Sequence, residues 1–253
     1  MKGLSQGVSD EMGIEFDSLT PVLLNELNDE LEMMLPEARV AWTLANLPGK
    51  VVMSSSFGAQ AAVSLHMISR QMPDVPVILL DTGYLFPETY RFIDEMVGRL
   101  DLNLQVFRSE ISPAWIEARY GKLWCDGKEG IGRYNRLVKV EPMKRALREL
   151  DAGVWLTGLR REQADTRKGL KCLSRVGKVW KVHPLVDWTD HDIHGYLQSH
   201  QLSYHPLWHR GYVSIGDIHT TKPLHEVDDP EHVRFFGLKR ECGIHEIELE
   251  KVS

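Results

Sequence analysis

Cys242 is the residue of this sequence with the clearest capacity for chemistry. Lys239 and Arg240 precede it, Gly243 follows it, and His245 lies three positions further on. Cationic neighbours favour the thiolate form of a cysteine, which is the nucleophilic form. Most isolated cysteines are small buried residues, but this one lies in a polar segment that contains glycine. The sequence therefore predicts a reactive thiol at Cys242.

A zinc site is the alternative use of Cys242 and His245, since the two are three positions apart. Structural zinc takes four ligands at short spacings, and the nearby histidines do not form a convincing second pair; they are His209, His219 and His225. The chain has three cysteines, too few and too scattered for a disulfide framework. Reduced thiols in a reducing compartment are expected; the other two are Cys125 and Cys172.

A Ser-rich loop is the first candidate for binding an anion. Residues 51–53 are typical of a short buried strand, residues 54–58 read Ser-Ser-Ser-Phe-Gly, and a helix is predicted from Ala59 onward. A helix that begins at such a loop directs unpaired backbone N–H groups at whatever lies above the strand. A turn that merely caps the helix explains these residues equally well. The loop matches neither the Walker pattern nor a dinucleotide fingerprint.

Two other predicted strands end in small and polar residues. Asp81-Thr82-Gly83 follows the apolar residues 77–80, and Gly158 to Arg161 follows residues 154–156. Open α/β sheets bind ligands at the carboxyl ends of their strands, although an ordinary turn would use the same residues. Adjacent arginines such as Arg160 and Arg161 can each donate two N–H groups to a phosphate or sulfate.

The elements that would position these residues alternate between helix and strand. Two amphipathic helices come first, and a strand–helix–strand–helix–strand order covers residues 51–107. This order predicts a parallel, doubly wound α/β sheet. Helices are also predicted at residues 139–150 and 189–200, with a β-excursion over residues 169–186. The expected organisation is a flexible N-terminus at 1–17, an α/β nucleotide-binding domain with N-terminal helices at 18–200, and a C-terminal segment at 201–253 that carries Cys242 on a mobile tail.

Composition restricts the class of protein. The chain has 253 residues, 43% of them hydrophobic, which suits a substantial core, and its net charge is −6. Binding of extended nucleic acid is disfavoured because the basic residues are confined to one stretch and are not interleaved with stacking aromatics. No apolar run approaches the roughly 20 residues that span a bilayer, and no signal pattern opens the chain, so a cytoplasmic protein is expected. Residues 158–181 contain eight basic and two acidic side chains. That local excess indicates an anionic ligand, or else a solvated loop.

Taken together, four motifs resemble those of the phosphoadenylyl sulfate (PAPS) reductases. They are residues 54–58, 81–89, 158–163 and 239–245, in that order, and the resemblance runs from about residue 20 to the end of the chain. It implies an adenine-nucleotide α-hydrolase-like fold and a cytoplasmic homodimer that works in assimilatory sulfate reduction. It also implies thioredoxin or glutaredoxin as the reductant.

The resemblance assigns roles to the candidate residues. Cys242 matches the family's nucleophile, which forms an S-sulfocysteine, while Lys239 and Arg240 favour its thiolate and offset repulsion from an anionic substrate. His245 either does the same or only orients the tail. The residues implied to hold the adenylate are Ser54, Ser55, Ser56, Phe57, Gly58, Asp81, Thr82 and Gly83. Those implied to contact the sulfate and phosphates are Lys139, Gly158, Arg160, Arg161, Arg167 and Lys171.

One branch of the same family carries a [4Fe–4S] cluster and mostly reduces adenylyl sulfate (APS). That branch has a Cys-Cys pair before its Lys-Val-Glu-Pro helix and a Cys-x-x-Cys pair after a Ser-x-Gly. This chain has Tyr134, Asn135, Asp217 and Thr220 at the corresponding positions. A cubane cluster requires four ligands, usually thiolates. The resemblance therefore implies no iron–sulfur cluster and no tightly bound metal, with PAPS preferred over APS.

Two rival interpretations stay open at this point, besides APS reduction. An ATP pyrophosphatase or ATP sulfurylase subunit of the same fold would show Ser-Gly-Gly-x-Asp-Ser in the first loop, where this chain has Ser-Ser-Ser-Phe-Gly-Ala-Gln. A catalytically silent adenylate-binding protein would not need Cys242. Release of sulfite with and without thioredoxin separates these alternatives.

Overall fold

The computed structural model describes residues 19–244, and the chain begins there with two helices, α1 (Pro21–Glu32) and α2 (Pro36–Asn46). The side chain of Thr20 caps α1 by accepting a hydrogen bond from the Leu23 N–H at 3.3 Å. A proline opens each helix, where its missing N–H costs nothing. The flexible N-terminus predicted at residues 1–17 lies outside the described residues.

A mostly parallel sheet forms the centre of the described region. Its strands are β1 (Lys50–Ser54), β2 (Pro76–Leu80), β3 (Asn103–Phe107), β4 (Ala152–Thr157), β5 (Leu173–Val176) and β6 (Val179–Val182). They lie in the order β3-β2-β1-β4-β6-β5, and only the pairing of β5 with β6 is antiparallel. The predicted doubly wound α/β fold is confirmed, and the predicted β-excursion is the β5–β6 hairpin at the edge.

The chain changes direction across the sheet between β1 and β4. From β1 it proceeds through β2 to β3 on one side, then returns to add β4 and β6 on the other. At such a switch point the loops beyond the two strands diverge and leave a crevice, which is where open α/β sheets bind ligands. The Ser-rich loop after β1 and the Thr-Gly after β4 border this crevice.

Further helices cover the sheet and carry polar residues toward its carboxyl edge. They are α3 (Ala61–Ser69), α4 (Pro87–Leu100), α5 (Pro113–Tyr120), α6 (Gly127–Asn135), α7 (Glu141–Glu149) and α8 (Asp190–Ser199). Helix α3 begins two residues later than predicted, because residues 58–60 form a turn closed by the Ala61 N–H on the Gly58 carbonyl at 3.1 Å.

The predicted start of a helix at residue 139 is also wrong. Helix α6 continues through a π-helical turn, Arg136–Val140, directly into α7. A π-turn adds one residue to the helical ring and so changes the direction of the side chains that follow it. Lys139 lies in this turn and is buried at the edge of the crevice.

Two apolar layers hold the sheet between the helices. On one face Val52, Ile78 and Trp155 pack against Met143 and Leu147 of α7. The other face is larger and packs against α1 to α4 and α8. Each fully buried apolar side chain contributes roughly 1.5–3 kcal/mol, so these layers fix the position of every strand end. No helix among residues 19–244 is long and apolar enough to cross a membrane.

Candidate active site

A cavity of about 570 Å³ opens at the switch point. The loops after β1, β2 and β4 form its base, and the C-terminal segment closes over it. A volume of this size accommodates a nucleotide. The polar and glycine residues that line its base include Ser54, Ser55, Ser56, Gly58, Thr82, Thr157 and Gly158.

The Ser-rich loop is held in place by its own side chains. Ser54 Oγ accepts a hydrogen bond from the Trp155 Nε1–H at 2.8 Å, and Ser55 Oγ accepts one from the Phe57 N–H at 3.0 Å. Phe57 is fully buried with a φ of 48°, so its ring anchors the loop from behind. The loop therefore presents hydroxyls and Gly58 to the cavity, while the predicted contact of Phe57 with the adenylate stays a prediction.

In the Asp81-Thr82-Gly83 turn, Asp81 holds the backbone in shape and Thr82 faces the cavity. Asp81 accepts hydrogen bonds from the Tyr90 hydroxyl at 2.7 Å, the Arg108 Nε at 2.8 Å and the Gly83 N–H at 2.9 Å. Those contacts shape the turn and occupy the carboxylate. Thr82 lines the cavity. A direct contact of Asp81 or Gly83 with the adenylate stays a prediction.

Lys139 forms a buried ion pair with Asp217 at the edge of the cavity. Its Nζ lies 2.5 Å from Asp217 Oδ2, and the Thr82 hydroxyl donates to Asp217 Oδ1 at 2.5 Å. Burial raises the pKa of Asp217, but the charge and hydrogen bonds of Lys139 and Thr82 outweigh it, so this pKa lies below its ordinary value. Asp217 is thus a charged anchor, and Lys139 is fixed with its ammonium group at the cavity wall.

The positions that correspond to cluster ligands in the iron–sulfur branch lie around this ion pair. Tyr134 packs its ring 5.7 Å from Lys139 Nζ, and Asn135 is 1% exposed in the same helical run. Thr220 is also buried. Among residues 19–244 there is no group of three or more histidine, cysteine, aspartate or glutamate side chains that could hold a metal ion.

Arg160 lines the cavity, but its guanidinium group is already engaged. It is 2% exposed and donates to the Trp188 carbonyl at 2.8 Å and to Gln60 Oε1 and Asp190 Oδ1, each at 2.6 Å. Arg160 therefore ties the loop after β4 to the start of α8. A contact with the substrate anion would have to share or replace these bonds, and stays a prediction.

Arg161 turns away from the cavity toward the N-terminal helices. Its guanidinium group pairs with both carboxylate oxygens of Glu32 in α1, and its Nε donates to the Leu170 carbonyl at 2.8 Å. Lys171 is exposed on the following segment. For these two residues the predicted anion contact also stays a prediction.

The basic stretch at residues 158–181 does not form one surface. Lys168 pairs with Asp165 at 2.8 Å on an exposed loop, and Arg175 lies over the Trp180 ring at 4.9 Å. Lys181 is buried, with its Nζ 4.5 Å from the centre of the Trp155 ring. Burial lowers the pKa of Lys181 to about 8, and the nearby charge of Cys242 opposes that shift.

The C-terminal segment brings residues 239–244, called the tail below, over the cavity. Cys242 is half-buried and lines the cavity, while Ile244 packs on the apolar layer that contains Trp155. Gly243 has a φ of 85°, a conformation that glycine adopts without strain and that turns the chain just after the thiol. His245 lies outside the described residues, so its predicted role is not tested.

Arg240 and Lys239 occupy different sides of Cys242. Arg240 lines the main cavity and its buried Nη1 has no hydrogen-bond partner within the described region. Lys239 lines a second, more open cavity of about 810 Å³ that also reaches Cys242; the other cations bordering it are Arg133, Arg136 and Lys144. Cys242 is thus approached from two sides, both of them lined by cations.

The two other cysteines lie apart from this arrangement. Cys172 is fully buried, and burial raises the pKa of its thiol to about 12, so it is not a thiolate near neutral pH. Cys125 is exposed after α5. Of the three thiols, Cys242 is the one placed at the cavity.

Sequence reasoning missed Arg234. It lines the cavity, and its buried Nε has no partner among the described residues. Its guanidinium group packs so closely over Gly216 that a Cβ there would collide with it. Arg234 lies in a stretch without helix or strand periodicity, so its neighbours along the chain gave no local signal; the nearby Gly216, where only glycine leaves room for the side chain, is the signal that could have found it.

Known proteins resemble most of this chain in sequence. A family model described as "Phosphoadenosine phosphosulfate reductase domain" matches residues 50–223. The phosphoadenosine 5'-phosphosulfate reductase of Alteromonas mediterranea is 59% identical over 223 residues, 88% of this chain and 90% of that protein. The enzyme of the same name from Erwinia tasmaniensis is 58% identical, over 88% of this chain and 92% of its own.

Solved structures of other proteins share the fold of this chain. The PAPS reductase of Candida auris, in a phosphate complex, aligns with a TM-score of 0.70 and 29% identity, covering 81% of this chain and 98% of that one. The FMN adenylyltransferase of Candida glabrata aligns with a TM-score of 0.55 and 15% identity, over 81% of this chain and 73% of its own. The second likeness shows the nucleotide α-hydrolase-like fold alone.

Proposed function

The chain belongs to the phosphoadenosine phosphosulfate reductase family of oxidoreductases, and we propose that it forms sulfite from PAPS through a sulfonated Cys242. The observation that carries this proposal is the position of Cys242, whose thiol lines the cavity at the switch point. A silent adenylate-binding protein would have no use for a thiol there. A Ser-rich loop without the Ser-Gly-Gly-x-Asp-Ser pattern also disfavours an adenylating enzyme of this fold.

The adenylate would lie on the base of the cavity, against Ser54 to Ser56, Gly58 and Gly158. The start of α3 follows that loop, so its backbone N–H groups and positive dipole end suit a phosphate. Gly158 supports this because a Cβ there would lie 2.7 Å from Ser64 Oγ of α3. The close approach of β4 to α3 keeps the base of the cavity narrow.

The sulfate and phosphates would lie among the cations of the cavity wall. Lys139, Arg234 and Arg240 all line it, and the last two each have a buried nitrogen without a partner among residues 19–244. Buried donors of this kind are costly unless a ligand satisfies them. We include Arg160 as a contributor that also holds the loop, and we assign the 3'-phosphate to this same set of cations.

In the first step the thiolate of Cys242 attacks the sulfur of the sulfate group. A bond forms between Cys242 Sγ and that sulfur, and the bond from sulfur to the bridging phosphate oxygen breaks. The electron pair leaves with adenosine 3',5'-bisphosphate, and Cys242 becomes S-sulfocysteine. The nearby ammonium group of Lys181 and the guanidinium group of Arg240 offset the repulsion between an anionic nucleophile and an anionic substrate.

In the second step a thiolate of a dithiol protein, thioredoxin or glutaredoxin, attacks Cys242 Sγ. The new disulfide forms as the bond to the sulfonate group breaks, and sulfite leaves with that electron pair. The second thiol of the reductant then displaces Cys242 as a thiolate. Substrate sulfur gains two electrons and the reductant becomes a disulfide. Such a dithiol is maintained in the cytoplasm, where we place the reaction as part of sulfate assimilation.

A homodimer is the proposed assembly. The turn between α1 and α2 supports it because it exposes two apolar side chains, with Met33 88% exposed and Leu35 75% exposed. Neighbouring exposed apolar residues of this kind are typical of a protein interface. Two further exposed residues on α1 are Val22 and Leu23.

One assay tests the proposed function. Purified protein is supplied with reduced thioredoxin and either PAPS or APS, and sulfite is measured. We expect sulfite from PAPS, little from APS, and none when thioredoxin is omitted. Iron content measured alongside is expected to be negligible, with full activity after chelation. APS as the better substrate, or activity that depends on iron, would contradict the proposal.

A further inference from the structure

The tail is joined to a loop that has no role in the two proposed chemical steps. We call residues 161–168 the docking loop. Arg167 forms a double hydrogen bond with Glu241, from Nε to Oε1 at 2.7 Å and from Nη2 to Oε2 at 2.8 Å. The Thr166 hydroxyl donates to the same Oε1 at 3.0 Å. Glu241 precedes Cys242 directly, so this contact fixes the backbone next to the thiol.

A second contact runs in the opposite direction. Arg240 of the tail donates from Nη2 to the backbone carbonyl of Gln163 at 2.9 Å, and its Nε lies 3.3 Å from Glu231 Oε2. The two residues that precede Cys242 are therefore both bound to the docking loop. Because two successive residues make these contacts, the contacts restrict the rotation of the tail as well as its distance from the cavity.

The guanidinium group of Arg167 is fully engaged by these contacts. Its remaining nitrogen, Nη1, donates to Gln163 Oε1, so each of its three nitrogens has an acceptor. The ion pair is shielded from water, with the side chains of Arg167 and Glu241 only 20% and 13% exposed. Burial raises the pKa of Glu241, but the hydrogen bonds and charge of Arg167 outweigh it, so Glu241 stays a carboxylate well below neutral pH.

We propose that Arg167 and Glu241 are positioning residues, which dock the tail so that Cys242 Sγ faces the cavity during sulfonate transfer. This inference rests on the proposed function. Attack on sulfur requires the nucleophile in line with the leaving oxygen, and small misplacements reduce such rates strongly. The role differs from the substrate contact that the family resemblance implies for Arg167, because here its partner is a carboxylate of the protein.

Single-turnover sulfonation tests the proposal in Arg167→Gln and Glu241→Gln. PAPS is mixed with reduced enzyme without thioredoxin, and S-sulfocysteine on Cys242 is followed by mass spectrometry. Breaking a shielded bidentate pair should slow sulfonation by roughly 10- to 100-fold in both variants. The affinity for adenosine 3',5'-bisphosphate should stay within about twofold of wild type, since neither side chain is assigned to the nucleotide. Lys168→Gln, which removes an exposed cation from the same loop, is the matched control and should sulfonate at the wild-type rate.

Alkylation of Cys242 by iodoacetamide gives a readout that needs no substrate. A released tail exposes the thiol, so both variants should be alkylated faster than wild type. The exchanged pair, Arg167→Glu with Glu241→Arg, should restore slow alkylation and part of the sulfonation rate. If wild type forms no S-sulfocysteine, the proposed function fails, whereas the alkylation rates still test docking.

Two results would overturn the docking role. The first is a wild-type alkylation rate in both single variants. The second is Glu241→Gln that sulfonates normally while Arg167→Gln loses nucleotide affinity as much as rate, because Arg167 would then be a substrate contact.

Discussion

The cavity floor and the tail are built in different ways. The cavity floor consists of residues 54–58, Thr82, Lys139, residues 157–160 and Asp217, and its loops follow strands whose central side chains are buried. The tail, residues 239–244, is attached by the ion pairs and hydrogen bonds of Arg240 and Glu241 and by the packing of Ile244. The floor continues the strands of the sheet, whereas the tail is attached to the rest of the protein by side-chain contacts.

This difference matches the two tasks of the enzyme. Binding the nucleotide needs a rigid site, which a parallel sheet with two covered faces provides. The proposed covalent catalysis with a protein reductant needs a thiol that reaches the substrate and is then accessible to a second protein. The tail is held by a few ion pairs and hydrogen bonds and by one apolar side chain, so far fewer contacts have to break to release it than to disrupt the apolar core. Changes in the floor should therefore alter affinity and stability. Changes at Glu241 and Cys242 of the tail should alter chemistry alone, whereas Arg240 is also assigned to the substrate anions.

The largest effect is expected from Cys242→Ser. A hydroxyl cannot replace the thiolate nucleophile, so sulfite formation should be abolished. Affinity for adenosine 3',5'-bisphosphate should be retained, because the floor is untouched. Sulfite assays and nucleotide titration measure the two properties separately. Cys125→Ser and Cys172→Ser are the controls and should keep most activity; loss of turnover in either of them with an active Cys242→Ser would refute the assignment.

In the floor, Lys139→Met should impair both stability and substrate use. It leaves Asp217 as a buried carboxylate without its partner, at a cost of roughly 3–5 kcal/mol in the free energy of unfolding. It also removes a cation from the cavity wall, so kcat/KM for PAPS should fall at least a hundredfold. Urea unfolding and steady-state kinetics measure the two effects.

The double variant Lys139→Met with Asp217→Asn separates the two contributions of Lys139. Removing both charges should restore most of the lost stability, because no buried charge stays unpaired. It should not restore kcat/KM. A double variant with wild-type kinetics would mean that Lys139 supports the fold and nothing more.

Arg160 and Arg161 allow a smaller test within one loop. Arg160 lines the cavity, so Arg160→Ala should lower kcat/KM for PAPS by roughly tenfold to a few hundredfold. Arg160→Lys should recover only part of this loss, because an ammonium group lacks the planar pair of donors that a guanidinium group has. Arg161 pairs with Glu32, so Arg161→Ala should have the smaller effect. Equal kinetic losses, accompanied by equal losses of nucleotide affinity, would place both arginines on the substrate anion.

The smallest expected effect concerns the dependence of stability on pH. The Leu207 N–H donates to His205 Nδ1 at 3.1 Å, and Nε2 lies 3.0 Å from the Thr89 hydroxyl. This buried ring is therefore neutral, and burial lowers the pKa of His205 to about 4. Between pH 6.5 and 4 the unfolded chain binds a proton that the folded chain does not, so stability must fall as the pH falls through this window.

His205→Gln should reduce that dependence, which thermal unfolding at several pH values would measure. His191→Gln, at an exposed position, is the control and should behave like wild type. A variant with the full wild-type slope would show that His205 does not contribute. The pKa of Glu241 lies below that of an ordinary glutamate, so its ion pair with Arg167 should stay intact until the pH falls below that ordinary value.

Much of the floor was predictable because its signals are local. Short β-branched strands, a Ser-rich turn and a helix-forming run give β1, its loop and α3 in one stretch of sequence. The Thr189 N-cap of α8 was also predictable, and it forms a capping box with Asp192. The neighbours of Cys242 predicted a reactive thiol, and the structure places this residue at the cavity.

The partners of the charged residues were not predictable from local sequence. Arg161 pairs with Glu32 and Arg167 with Glu241, and each pair is far apart along the chain. A run of basic residues does not show on which face of the sheet each side chain lies. Lys181 shows this most clearly, since alternation along β6 places it in the buried layer beside Trp155 although it belongs to a polar stretch.

The most direct test of the central claim is transfer of the sulfonate group to Cys242 in the absence of any reductant. Wild-type enzyme is mixed with PAPS alone, digested and examined by mass spectrometry, with released adenosine 3',5'-bisphosphate quantified in parallel. We predict one sulfonate group on the peptide that contains Cys242, in a one-to-one ratio to the nucleotide released, and discharge of that group as sulfite when thioredoxin is added. Sulfite without a sulfonated Cys242, or a sulfonate group on another residue, would contradict the account.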